Sequence, residues 1–333
     1  MDKNKYANTV ISTRVRLARN INNLPFPRRL QGQEEIYSVL LKGVKESCDA
    51  LFKNQYRFYQ MDKIDDADSL SLVERHLISK NLQNSQYGAA FITEGEDISI
   101  MVNEEDHLRI QSIVKGFNLE TAFNKAAAID KELKNHLDIA YDEKLGYLTA
   151  CPTNLGSAMR ASVMMFLPAL SMTNMIETVI LRYQDEGITI RGIYGEGSKA
   201  EGYIYQISNQ AAISLSEKEI LKRVGNAVEN LINAEEIARN NLKAARGIDL
   251  QNDIMISYGI LKYCCKISSQ EMMQDLALVK LGVNLGYLKL DMNKLNDMLV
   301  LSQPGMLCYI SKQKLDARGR DIERAKFIKN YLE

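Results

Sequence analysis

The sequence predicts an α+β fold: an antiparallel sheet flanked by helices, with an all-helical C-terminal domain. Two pairs of strand-like segments surround short turns. "AAFIT" (89–93) and "ISIMVN" (98–103) enclose "EGED", while "TVILRYQ" (178–184) and "ITIRGIY" (188–194) enclose "DEG". Strands joined by hairpins favour an antiparallel sheet over the parallel sheet of a βαβ nucleotide fold. From about residue 246 only helical periodicity remains. That change places a boundary near "AARGIDLQND" and divides the chain into residues 1–245 and 246–333.

A chain of 333 residues that is 46% hydrophobic can bury a sizeable core. Lys and Arg total 42, and so do Asp and Glu. No global field draws such a chain to nucleic acid or to a membrane, so any anion site must be local. The start, "MDKNKYANTVIS", lacks an apolar h-region, and the uncharged stretch "ASVMMFLPAL" is far too short to span a bilayer. Cys48, Cys151, Cys264, Cys265 and Cys308 form no CxxC pair and read as free thiols in a reducing cytoplasm.

The elements follow in order. "STRVRLARN" (12–20) alternates arginine with apolar residues, which puts Arg14 and Arg16 on one face of a strand. Two guanidiniums at that spacing, about 6–7 Å, repel by roughly 2–3 kcal/mol at an effective dielectric near 20, so the ladder calls for an anion. After the first hairpin, "VNEEDHLRI" (102–110) reads as the opening of a helix capped by Asn103. Glu104, Glu105 and Asp106 then offset its dipole, and Ile110, Ile113 and Val114 face the core. Capping leaves His107 and Arg109 unexplained and does not need three consecutive acids. "CPTNLGSAMRASVMMFL" (151–167) reads as the same strand-to-helix form. Cys151 stands where a helix N-terminus lowers a thiol pKa, and Arg160 opens a run that looks buried. Read alone, Cys151 serves equally as a small core hydrophobe.

The second hairpin leads into "IRGIYGEGSKAEGYIY" (190–205), where Gly195 and Gly197 flank Glu196 in a loop able to close over a ligand. "YIYQISN" (203–209) is a further strand. Ser216 with Glu219 forms a capping box, and Ile220, Leu221, Val224, Ala227, Val228 and Leu231 continue as a helical stripe. Ser268 with Glu271 forms another capping box, and the chain ends in the charged helix "ARGRDIERAKFIKNYLE".

Arg14, Arg16, Arg109, Arg160 and Arg191 fall at strand ends or helix starts, from where they can converge on a polyphosphate. Arginine suits this task because its planar fork makes bidentate phosphate contacts. The sequence has no GxxxxGK[ST] loop and neither the HRD nor the DFG element of protein kinases, so a nucleotide site must be built from arginines.

In order, "STRVRLARN", "VNEEDHLRI", "CPTNLGSAMRAS" and "RGIYGEGSKAEGYIYQISN" resemble the signatures of the phosphagen (guanidino) kinases, from residue 12 to about 240. The branch resembled most is the bacterial protein-arginine kinase of the McsB type. Small-molecule guanidino kinases carry a helical N-terminal domain before the first motif, where this chain has eleven residues. The helical C-terminal region contains "RDIERA" (320–325), similar to that branch's phosphoarginine-binding motif.

The resemblance implies a protein-arginine kinase with the guanidino-kinase catalytic fold, using ATP and Mg²⁺. Arg14, Arg16, Arg109, Arg160 and Arg191 would hold the phosphates. Ser12, Thr13, Val15, His76, Ala161, Ser162, Val163, Met164, Gly192, Ile193, Tyr194, Gly195 and Glu196 would line the nucleotide site. Mg²⁺ would ride on phosphates and water, touched indirectly by Glu104 or Asp106. Glu105 and Glu196 match the family's substrate-clamping carboxylates, and Cys151 its reactive cysteine. Arg320, Asp321, Arg324 and Ala325 would form an allosteric phosphoarginine site.

Protein substrates with accessible arginine, an activator protein, a heat-shock repressor and a Clp-type unfoldase are the partners this branch implies, in a cytoplasmic stress response. The segment "DMLVLSQPGMLCYI" offers a face for a homodimer. Two other readings stand beside this one: a free-arginine kinase, and an inactive module that binds phosphoarginine.

Overall fold

The computed structural model describes residues 6–27, 34–193 and 200–332. The chain divides into two units, each discontinuous in sequence. One comprises Ser12–Val163 and Ser208–Asn226; the other comprises the segment up to Ile11, Met164–Ile207 and the chain from Ala227 onward.

The strands are β1 (Val10–Arg19), β2 (Tyr56–Gln60), β3 (Ala89–Thr93), β4 (Ile98–Val102), β5 (Leu108–Lys115), β6 (Tyr141–Asp142), β7 (Gly146–Tyr147), β8 (Met159–Phe166), β9 (Ile188–Gly192) and β10 (Ile204–Asn209). In the first unit the main sheet runs β2-β3-β4-β5-β1-β8-β10, and β6 with β7 form a separate ribbon. β1 through β5 pair antiparallel, with Arg16 opposite Gln111 and Ala18 opposite Arg109. Alternation along β1 decides the site. Thr13, Val15, Leu17 and Arg19 are buried, which turns Ser12, Arg14, Arg16 and Ala18 to the other face, half-buried.

Helices α1 (Glu34–Phe52), α2 (Asp66–Glu74), α3 (Lys80–Gln83) and α4 (Leu119–His136) belong to this unit. α4 buries Ala122, Ala126, Ile129 and Leu133, spaced as one helical face, and packs against β5 and α1. A buried ion pair ties β1 to this helix. Arg19 donates through Nε to Asp130 Oδ1 at 2.5 Å and through its second amino group to Oδ2 at 3.1 Å. Its guanidinium also lies 3.5 Å over the Tyr147 ring.

Three expectations about local structure are corrected. Residues 178–184 are not a strand but part of α6 (Ile176–Asp185), which follows α5 (Pro168–Met172). Ile176, Val179, Ile180 and Tyr183 face inward at helical spacing, and Gly187, at φ +75°, turns the chain out of the helix instead of closing a hairpin. "VNEEDHLRI" opens a strand rather than a helix, so Asn103 caps nothing. It takes φ +58° in a tight turn closed by its own N–H on the His107 carbonyl at 2.9 Å. "CPTNLGSAMRAS" is likewise a turn leading into β8, with only a three-residue 3₁₀ segment, Pro152–Asn154, after Cys151. In both segments small and polar residues at the turn mimic a helix start, and pairing across the sheet decides otherwise.

In the second unit β9 joins β10, and the long helix α7 (Glu217–Tyr263), which begins in the first unit, bends at Gly247. α8 (Ser269–Asn284), α9 (Met292–Leu301), α10 (Pro304–Ser311) and α11 (Ala317–Leu332) follow. Phe166, Ile204, Leu261, Met272, Leu276, Leu299 and Ile328 contribute to one core. Buried Glu235 accepts the backbone N–H groups of Ala169 and Leu170, both at 3.0 Å, and the Nε–H of Arg239 at 2.9 Å. Burial nonetheless raises its carboxyl pKa. Both predicted capping boxes are present, at Ser216 with Glu219 and at Ser268 with Glu271.

The C-terminal helix holds a buried arginine. Arg324 is 1% exposed and donates to the carbonyls of Ser302 and Ile267, each at 2.9 Å, and to Asp321 Oδ1 at 2.7 Å. It ties α11 to the end of α9 and to the segment before α8. Arg320 is half-buried, so the two arginines do not share an open face. Arg324→Ala should cost about 3 kcal/mol or more in chemical denaturation, because several charge-assisted hydrogen bonds disappear together. Arg320→Ala should stay within about 0.5 kcal/mol of the parent.

Candidate functional site

Four of the five sequence-selected arginines meet in the first unit. Arg14 and Arg16 project from β1, Arg109 from the start of β5 and Arg160 from the start of β8. Arg16, Arg109 and Arg160 line a cavity of about 190 Å³ together with Glu105, Asp106 and Cys151. Burial, then the charges of Arg109 and Arg160, lower the Arg14 pKa to about 10. The Arg16 pKa is lowered too, by burial and then by Arg14, Arg109 and Arg160, with Glu104 opposing. Both remain protonated at neutral pH. The buried Nε of Arg16 finds no hydrogen-bond partner among the described residues. Such a cluster favours an anion with several oxygens.

Neighbouring polar groups fix these forks in place. Glu104 pairs with Arg109 at 2.5 Å and accepts from Ser79 Oγ at 2.6 Å. Arg160 donates to Ser208 Oγ at 3.0 Å. The side-chain amide of Asn209, the last residue of β10, pairs with the backbone of β8: its Oδ1 accepts from Ala161 N at 2.9 Å and its Nδ2 donates to the Met159 carbonyl at 3.0 Å. Sequence reading assigned no role to Ser79, Ser208 or Asn209. Only Asn209 left a trace, as a polar residue ending a strand.

His76 joins the arginines. It takes φ +61° after α2, its carbonyl accepts from Gln111 Nε2 at 2.7 Å, and its ring feels the charge of Arg14. Burial, then Arg14, lowers its pKa to about 4, so the imidazole is neutral at pH 7.

The other predicted positions separate by side. Val15, Ala161 and Val163 are fully buried core residues, so only their main chain can face a ligand. Thr13 donates to the Gly116 carbonyl at 2.6 Å, and Ser162 Oγ lies 3.3 Å from the Arg14 carbonyl. Ser12 is half-buried on the arginine face. Arg191, exposed on β9, Gly192, Ile193 and Met164 belong to the second unit, where Ile193 and Met164 pack on its core. Tyr194, Gly195 and Glu196 lie outside the described residues. In the C-terminal motif Asp321 orients Arg324, and Ala325 is buried.

On the cavity's acidic side, Glu105 is half-buried in the β4–β5 turn. Cys151 is half-buried, its Sγ 3.1 Å from Thr153 Oγ1. A carboxylate and a thiol beside an anion site suit a cationic, planar acceptor next to phosphate.

Residues 40–238 match the family described as "ATP:guanido phosphotransferase, C-terminal catalytic domain", and residues 247–333 match the "Protein-arginine kinase McsB C-terminal domain". A protein-arginine kinase of Clostridium kluyveri is 44% identical over 97% of this chain and 94% of its own length. One from Caldanaerobacter subterraneus is 39% identical over 97% and 96%. The chain belongs to the ATP:guanido phosphotransferase family, in its protein-arginine kinase branch. Among solved structures, the duplicated taurocyamine kinase of Schistosoma mansoni with bound transition-state-analogue components matches 77% of this chain and 38% of its own, with a TM-score of 0.62 and 26% identity. A lombricine kinase matches 73% and 69%, with a TM-score of 0.61 and 27% identity. The antiparallel sheet flanked by helices is therefore the guanidino-kinase fold, followed by a helical C-terminal region. Among the described residues no helix is long and apolar enough to cross a membrane.

The neutral His76 gives a pH signature. Its folded pKa, about 4, lies below the usual 6.5, so as pH falls the unfolded chain is protonated first. Stability is complete above pH 6.5 and falls toward pH 4, with a contribution on the order of 3 kcal/mol. His76→Gln should flatten that part of the profile, measured as the difference in unfolding free energy between the two proteins at each pH.

Proposed function

We propose that the protein transfers the γ-phosphoryl group of ATP to arginine side chains of proteins. The observation that carries this reading is the cluster of arginines, close enough to lower one another's pKa, beside a cavity that also presents Glu105 and Cys151. Family membership supports the reaction class.

In this mechanism Arg14, Arg16, Arg109 and Arg160, with Arg191, take the nucleotide phosphates, and His76 lies against the same cluster. The acceptor guanidinium is protonated at any working pH, and its nitrogen lone pair is delocalised. Glu105 and Glu196 hold the fork, and one of them takes a proton as the N–P bond forms. The bond from the γ-phosphorus to the bridging oxygen breaks at the same time, and ADP leaves with that electron pair. Cys151 tunes the guanidinium from its other side.

Glu104 and Asp106 do not fit direct coordination of a divalent ion. The first is paired with Arg109 and Ser79, and the second accepts from Asn20 and Ala150. Among the described residues no group of three or more His, Cys, Asp or Glu could hold a metal. Mg²⁺ is assigned to the phosphates themselves.

Phosphoarginine regulation through Arg320 and Asp321 belongs to this reading, with Arg324 acting from its buried position. A cytoplasmic role in marking proteins for a Clp-type protease belongs to it too, together with an activator and a heat-shock repressor as partners.

The test is incubation with ATP and either a loosely folded protein or free arginine, with analysis at neutral pH because phosphoramidates are acid-labile. Label on protein arginine, with little on the free amino acid, is the expected result. Transfer to free arginine alone would replace the protein acceptor by a small-molecule one. Glu105→Gln should keep ATP affinity within about twofold while turnover drops below about a tenth of the parent's.

A further inference from the structure

Two buried side chains that sequence reading left without a positioning role connect two of the segments that line the cavity. Asn20, just after β1, is 2% exposed, and Asp106, in the β4–β5 turn, is 5% exposed. Asp106 Oδ1 accepts from Asn20 Nδ2 and from the backbone N–H of Ala150, both at 2.7 Å. Asn20 Nδ2 also donates to the Leu148 carbonyl at 2.9 Å, and Asn20 Oδ1 accepts from His107 N at 2.9 Å. His107, fully buried, accepts from Ile21 N through Nδ1 at 3.1 Å, with Nε2 2.9 Å from the Pro25 carbonyl.

These bonds form a bridge. On one side they hold residues 106 and 107, directly after Glu105. On the other they hold residues 148 and 150, the second directly before Cys151. No other described hydrogen bond joins the Glu105 turn to the Cys151 segment. A carboxylate this buried is costly unless its bonds repay it, and the 2.7 Å contacts are those of a charge-assisted acceptor. Both contacts use the same oxygen as an acceptor, a role that an amide oxygen can also fill.

We propose that Asn20 and Asp106 are positioning residues that set the spacing of Glu105 and Cys151 across the cavity. The inference rests on the acceptor role proposed for that cavity, but the geometry has a readout of its own. The bridge works through hydrogen bonding at Asp106 Oδ1 and not through negative charge offered to a metal or to substrate. A displacement of about 1 Å between gripping groups is enough to cost on the order of a hundredfold in rate.

The experiment compares Asp106→Ala, Asp106→Asn and Asn20→Ala in the full chain. One readout is the rate at which iodoacetamide alkylates Cys151, followed on its own peptide by mass spectrometry. The other is kcat and KM for a protein acceptor and for ATP. In Asp106→Ala, Cys151 should react several-fold faster and kcat should fall by about tenfold to a hundredfold, with the KM for ATP within about twofold. Asp106→Asn keeps the acceptor oxygen and should restore both readouts to within about threefold of the parent. Asn20→Ala should repeat the Asp106→Ala pattern, and it keeps the test decisive if Asp106→Ala does not fold.

An Asp106→Asn protein as impaired as Asp106→Ala would overturn the proposal, because charge would then be the requirement. Unchanged Cys151 alkylation in both alanine variants would overturn it as well. A parent protein that transfers no phosphoryl group, with the alkylation pattern as expected, would sink the proposed function while supporting the bridge.

Discussion

Mutual repulsion among four arginines is the constraint around which the first unit is built. Arg14, Arg16, Arg109 and Arg160 are held close together and largely out of water, so burial and one another's charge depress the Arg14 and Arg16 pKa values. In a flexible chain such groups would turn away into solvent. Here they are rooted on adjacent strands whose alternate residues, such as Val15 and Leu17, are locked in the core. The arrangement costs stability while empty and lowers the cost of binding an anion, because the charges are already placed when it arrives.

The same strand shows how little separates a binding arginine from a structural one. Arg14 and Arg16 lie on the site face, whereas Arg19, of opposite parity, points inward and is consumed by Asp130 and the Tyr147 ring. A slip of one residue in the pairing with β5 would exchange the two sets. Register is therefore a functional property of this sheet. It is secured by the core side chains of β1 and by buried polar groups whose hydrogen bonds reach across elements: Asp130, Asn209, Asn20 and Asp106.

The helical unit follows a different logic. Its buried charges serve as internal caps and ties: Glu235 satisfies the N–H groups that start α5, and Arg324 satisfies the Ser302 carbonyl at the end of α9 and the Ile267 carbonyl in the segment before α8. Lys280 is fully buried over the Phe166 ring, and burial followed by the charge of Arg239 lowers its pKa to about 7. Charged residues in this unit are thus poor guides to an open site.

The amino-acid sequence by itself determined the β3–β4 hairpin, the helical C-terminal region, both capping boxes and the residue types of the anion site, because each is a local signal. Alternation in "STRVRLARN" places Arg14 and Arg16 on one face whatever surrounds them. Tertiary structure decided the rest. Residues 178–184 have strand-like composition, yet their inward face has helical spacing, and only packing chooses between the two. "VNEEDHLRI" and "CPTNLGSAMRAS" carry helix-start residues, yet pairing beside β1 makes both into turn and strand. The partners that hold the site lie far away in the chain: Ser208 from Arg160, Asn20 from Asp106, Ser79 from Glu104. A one-dimensional pattern reports which side chains are neighbours along a helix or strand, but it cannot report which hydrogen bonds close when distant segments meet. Burial of the intervening backbone forces those bonds to form, and that burial exists only in the folded chain.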